Sequence, residues 1–67
     1  MRIHNNGWYV VRVDRPDNVH DSPYMEWCRN YISPNHGRWM YNSYMSEFMF
    51  LMEEDALAFI LVHGEQS

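Results

Sequence analysis

The chain has no lysine, and all five of its basic residues are arginines: Arg2, Arg12, Arg15, Arg29 and Arg38. That absence excludes Schiff-base chemistry and a P-loop lysine. It also disfavours nucleic acid as a partner, because neutralising phosphates takes a basic face and the formal charge here is −4. Cysteine is nearly absent too. Cys28 stands alone, so no internal disulfide can form, whereas small secreted domains usually depend on several. A reducing, cytoplasmic compartment is the expectation. No apolar run approaches the ~20 residues of a membrane span, and no signal peptide or lipidation pattern is evident, so no membrane association is expected. Repeats, low-complexity tracts and linkers are likewise missing, which leaves one small domain over residues 1–67.

What the chain does have is apolar surface: 46% of its residues are hydrophobic and 16% aromatic. So short a chain encloses only a small core. The surplus calls for a partner, either another protein or a second copy of the chain.

The stretch from Ser46 to Gly64 organises the rest. Phe48 to Met52 reads as a buried strand, and the acids Glu53, Glu54 and Asp55 suit the positive end of a helix. Ala56, Phe59, Ile60 and His63 then recur at helical spacing with Leu57 and Leu61 beside them, and Gly64 marks the stop. Upstream, Met1 to His4 reads as a short strand, and Asn5-Asn6-Gly7 is a hairpin signal. Trp8 to Val13 forms the return strand, with Tyr9, Val11 and Val13 toward the core and Trp8 and Val10 on the opposite face. Asp14 to Asp21 is a polar loop broken by Pro16.

Ser22-Pro23 opens a helix as N-cap and first-turn proline. Tyr24, Trp27, Cys28, Tyr31 and Ile32 form its inner stripe, with Met25, Glu26, Arg29 and Asn30 outward. Ser33-Pro34 ends it, and Asn35-His36-Gly37 turns. A strand over Arg38 to Tyr41 and a reversal over Asn42 to Ser46 complete the order β-(β)-α-β-β-α. The expected fold is α+β: an antiparallel sheet of three or four strands with two helices on one face, a ferredoxin-like unit lacking the last strand. Both faces of residues 38–52 are apolar, so the alternation does not select which of them is buried.

Chemistry-bearing groups are scattered. His4, His20, His36, His63 and Cys28 lie on different segments without the paired spacing of a metal site, so no metal or other cofactor is expected. Three consecutive acids cannot converge on one point of a helix, and the macrodipole accounts for them. Cys28 falls on an apolar stripe, where a thiol behaves as a small hydrophobe rather than a nucleophile. His63, near a helix C-terminus, would be favoured as a charged imidazole. With no nucleophile, base and oxyanion set to name, the chain reads as non-enzymatic.

Trp, Tyr, Met and Arg together are enriched at protein interfaces, and six methionines add adaptable surface. The binding face expected from the sequence comprises Trp8, Val10, Trp39 and Tyr41 with acids at the rim. Its partner would be a protein with a basic surface, or a second copy in a homodimer. Stacking of single-stranded nucleic acid or a nucleotide on an open sheet face is the alternative.

Trp27-Cys28-Arg29, Gly37-Arg38-Trp39 and Phe48-x-Phe50 running into Glu53-Glu54-Asp55-Ala56-x-x-Phe59 form a pattern over roughly residues 24–62. It resembles small uncharacterised accessory proteins of tailed bacteriophages, which carry W-C-x…G-R-W…F-x-F-x-x-E-x-D-A-x-x-F. Met52 and Val62-His63 depart from that pattern. The resemblance implies a phage-encoded accessory protein and transfers no active site. Separately, the acidic charge steers toward basic partner surfaces, and an inhibitor of host transcription or defence machinery in the cytoplasm of the infected bacterium fits that charge.

Overall fold

The computed structural model describes residues 1–14, 21–33 and 37–65. The elements are β1 (Arg2–Ile3), β2 (Tyr9–Arg12), α1 (Pro23–Tyr31), β3 (Trp39–Asn42), β4 (Glu47–Phe50) and α2 (Glu53–His63). The loop prolines Pro16 and Pro34, together with His20 and His36, lie outside the described residues.

The N-terminal hairpin forms where Asn5-Asn6-Gly7 places it. The Gly7 N–H donates to the His4 carbonyl at 2.8 Å and the His4 N–H to the Trp8 carbonyl at 2.8 Å. Gly7 takes φ +90°, a conformation that a side chain disfavours and that closes this three-residue loop. The pairing Ile3↔Tyr9 and Arg2↔Val10 follows from that turn.

The sheet has four strands in the order β1-β2-β4-β3, and every neighbouring pair is antiparallel. Strands β2 and β3 both run opposite to β4, so they are parallel to each other and α1 crosses between them. This is the split β-α-β of a ferredoxin-like unit. The edge beside β2, which the last strand of such a unit would occupy, is taken here by β1. The expected α+β architecture holds, with four strands rather than three.

Both helices contribute to the same core, made of Val11, Val13, Met25, Cys28, Trp39, Phe48, Phe50, Ala56 and Phe59. Helix α1 starts as the sequence dictates: the Ser22 hydroxyl accepts from the Met25 N–H at 3.3 Å, with Pro23 at the first helical position. Its inner face differs from the expected stripe. Met25 is buried and Tyr31 is 76% exposed. The helix is rotated toward Met25 by less than one residue step, and Tyr31 lies along the Trp27 ring at 5.8 Å instead of entering the core. A thioether fills the irregular gap under the helix more readily than a phenol, whose hydroxyl would need a partner there.

Helix α2 has Met52 at its N-cap with no side-chain hydrogen bond. The Met52 carbonyl accepts the Asp55 and Ala56 N–H groups at 3.2 and 3.3 Å, and the three acids of the first turn meet the positive dipole end. An Arg38 guanidinium nitrogen bonds both Asp55 carboxylate oxygens at 3.0 and 2.9 Å, tying the entry of β3 to the start of α2. At the other end Gly64 takes φ +79° while its N–H donates to the Ile60 carbonyl at 2.7 Å.

Candidate functional site

The inner face of the sheet takes nearly all the rings. Trp39, Phe48 and Phe50 are fully buried, and Tyr41 packs against them with its ring centroid 4.9 Å from that of Phe48. The Trp39 indole N–H donates to the Ser33 carbonyl at 2.8 Å, which satisfies its polar atom inside the core. Trp39 and Tyr41 therefore do not belong to an exposed binding face, contrary to the sequence expectation. Rings bury more area than methionine, so the alternation Trp39-Met40-Tyr41 and Phe48-Met49-Phe50 turns rings inward and methionines outward.

The outer sheet face carries Trp8, Val10, Met40, Met49, Arg2, Arg12 and Glu47. Trp8 is half-buried there. Val10 faces outward as expected, yet it is only 1% exposed, so it supports that face without offering contact area. One Arg2 nitrogen bonds both oxygens of the buried Glu47 carboxylate at 2.9 Å. That link runs from β1 to β4 across β2, beside Val10, and closes over it. Of the predicted binding residues, only Trp8 keeps an exposed part on the open face. A single ring is a poor platform for stacking successive bases.

The larger exposed apolar surface lies on the opposite side of the molecule. Helix α2 buries Ala56 and Phe59 and half-buries Ile60 and His63. Its other side holds Leu57, Leu61 and Val62, which are 47%, 87% and 58% exposed, with Ala58 between them. Leu57 and Leu61 form one i, i+4 column, and Ala58 and Val62 the next. The sequence signal was present, since no polar residue interrupts Ala56 to Val62. A helix apolar on all sides is normally enclosed on all sides. Glu54 lies one turn before this stripe and Glu53 flanks its start, while Glu65 follows Gly64, beyond the end of the helix. Glu53 and Glu54 are exposed and form no ion pair with the described residues, whereas Glu65 pairs with the Met1 amino group.

No family model, curated protein or solved structure matches this chain.

The titratable groups are placed for packing. Cys28 is fully buried, and burial first, then the Asp55 charge, push its thiol up to about 12. His63 sits among the rings of Tyr24, Trp27 and Phe59 at 5.0, 5.8 and 4.8 Å, and its Nε2 is buried with no hydrogen-bond partner. Desolvation lowers its pKa, so the charged imidazole expected from the helix dipole is disfavoured. Among the described residues no group of three or more His, Cys, Asp and Glu could hold a metal ion, and no helix is long and apolar enough to cross a membrane.

A lowered histidine pKa means that the folded state holds fewer protons than the unfolded chain as pH falls through 6.5. Stability from neutral His63 is present above that pH and is lost as pH falls toward the folded pKa. Asp14 and Glu65 line the same cavity of about 170 Å³. Urea midpoints should fall between pH 7 and pH 5, with a shallower fall in His63→Phe. Equal slopes in the two proteins would assign the acid sensitivity elsewhere.

Proposed function

We propose that this chain is a non-enzymatic interaction protein, encoded by a tailed phage, that binds a protein of its host or of the phage through the outer face of α2. The observation that carries this reading is the exposed column of Leu57 and Leu61 with Val62 beside it, on a helix whose other side is already spent on the core. Solvent-exposed leucines at that spacing are the anchors of helix-in-groove and helix-to-helix recognition. The buried, protonated Cys28 and the scattered histidines support a role without turnover. The charge of −4 suits a basic partner surface, such as those of nucleic-acid enzymes in host transcription or defence. The infected cell's cytoplasm is the compartment in which such a role is exercised.

The test is affinity capture from lysate of the bacterial host with three proteins in parallel. Wild type and Met40→Glu, altered on the open sheet face, should recover the same partner, and Leu57→Glu/Leu61→Glu should not. If wild type recovers only itself, this reading falls. Titrating the wild type with short single-stranded oligonucleotides at about 50 mM salt tests the sheet-face alternative, since stacking and phosphate contacts are strongest there. Unchanged tryptophan emission is the expected result.

A further inference from the structure

The charge pattern around the α2 stripe goes further and specifies the chemistry of its occupant. Resting on the protein-binding reading above, we propose that the stripe of Leu57, Leu61 and Val62 docks a basic amphipathic helix, with leucine-like residues at i, i+3, i+4 spacing and lysine or arginine on the flank that meets Glu53 and Glu54.

The argument begins with what borders the stripe. Helix α2 has no lysine or arginine, and its first turn is Glu53, Glu54 and Asp55. Asp55 is engaged by Arg38, which leaves Glu53 and Glu54 as exposed carboxylates at the N-terminal border. Beyond Gly64, Glu65 is held to the Met1 amino group and adds no net charge at the other end. The apolar stripe thus has unpaired negative charge at its N-terminal end and no lysine or arginine along its length. A partner that covers the leucines brings its own flanks next to these carboxylates, and cations there are attracted while acids are repelled.

The same pattern disfavours a second copy. In a parallel pairing of α2 with itself Glu53 and Glu54 meet their own counterparts, and in an antiparallel pairing they meet a helix end that offers no lysine or arginine. Each copy also carries a net −4 and no lysine with which to relieve the contact. An anionic lipid surface is excluded by the same sign, since interfacial helices rely on basic polar faces. A helix fits the shape because two adjacent i, i+4 columns make a ridge on which the i±3 or i±4 grooves of another helix can seat.

The probes are three synthetic peptides of about 15 residues, long enough to become helical on binding. One has leucines on a single helical face and lysines elsewhere. The second replaces every lysine by glutamate, and the third has the first one's composition with the leucines spread around the helix. Binding is measured by titration calorimetry at low and moderate salt. The lysine amphipath should bind in the micromolar range, more weakly as salt rises, and the other two should not bind. Leu61→Glu should weaken that binding at least ~30-fold, the scale of one hot-spot residue, and Met40→Glu should leave it unchanged. Leu61 is 87% exposed, so its substitution leaves the fold intact, which circular dichroism checks.

Equal binding of the lysine and glutamate peptides, binding indifferent to Leu61→Glu, or no binding of the lysine peptide would each overturn the proposal. So would a homodimer in sedimentation that Leu61→Glu dissociates, because the second copy would then be the occupant. If lysate capture depends on Leu57 and Leu61 while the lysine peptide fails, the protein-binding reading stands and only the basic-helix assignment is lost.

Discussion

Replacing Phe59 by alanine should leave most of the chain unfolded at 25 °C. Phe59 is the residue on which both helices and the sheet converge. Its ring lies 5.1 Å from Phe48 and 5.3 Å from Phe50 on β4, 5.9 Å from Tyr24 and 5.7 Å from Trp27 on α1, and 4.8 Å from His63. It is completely buried. Truncating a buried phenylalanine costs about 3–5 kcal/mol in lost transfer energy plus the cavity left behind. A chain of this length has a total stability of roughly 3–10 kcal/mol by the usual per-residue scaling, and small cores fall at the low end. The two magnitudes are comparable, so one substitution consumes most of the margin. Urea unfolding followed by tryptophan emission and far-ultraviolet dichroism measures the effect. Leu61→Ala, two residues along the same helix but exposed, should stay within about 0.5 kcal/mol of wild type. If Phe59→Ala loses less than about 1 kcal/mol, the ring cluster is not the centre of this fold.

That contrast between Phe59 and Leu61 also marks how far the sequence could be read. Elements with a local chemical cause were legible: the hairpin from Asn6-Gly7, α1 from Ser22-Pro23, and α2 between its acids and Gly64. Each is set within a few residues by backbone conformation or dipole. The sheet faces were not legible from hydrophobicity alone, because β3 and β4 are apolar on both sides. The signal that separates them is size. Ring-methionine-ring in both strands puts Trp39, Tyr41, Phe48 and Phe50 on one face and Met40 and Met49 on the other, and the larger areas go inside. An exposed Trp39 and Tyr41 would forgo that difference in buried area. The rotation of α1 was equally hidden, since exchanging Tyr31 for Met25 at the boundary leaves the helical period almost unchanged. The outer face of α2 is an unbroken apolar run in the sequence, yet the core needs only one stripe of that helix. Nothing in the spacing of Leu57, Leu61 and Val62 tells a separate exposed face from the margin of the buried one.

The core that hides Cys28 makes the protein sensitive to alkali. The thiol has an ordinary value of 9.0 in an open chain and is pushed up to about 12 in the fold, by burial first and by the Asp55 charge second. Below pH 9 the group is neutral in both states and has no effect on the equilibrium. As pH rises from 9 toward 12 the unfolded chain gives up the proton and the folded chain keeps it, so stability falls. The slope is about 1.4 kcal/mol per pH unit, and roughly 2–3 kcal/mol should be lost by pH 11. Against a total of roughly 3–10 kcal/mol, with small cores at the low end, that loss removes a large part of the margin. Cys28→Ala should start about 1 kcal/mol less stable, because a small cavity remains, and then lose the cysteine's share of the slope above pH 9. The same protonated thiol should resist iodoacetamide at pH 8 in the native state and react only in urea, since the thiolate is the nucleophile. Alkylation of the folded protein at the rate of a free thiol, or an unchanged alkaline slope in Cys28→Ala, would place the sulfur outside the core. Resistance, in turn, fits a thiol whose work is to fill space beneath α1.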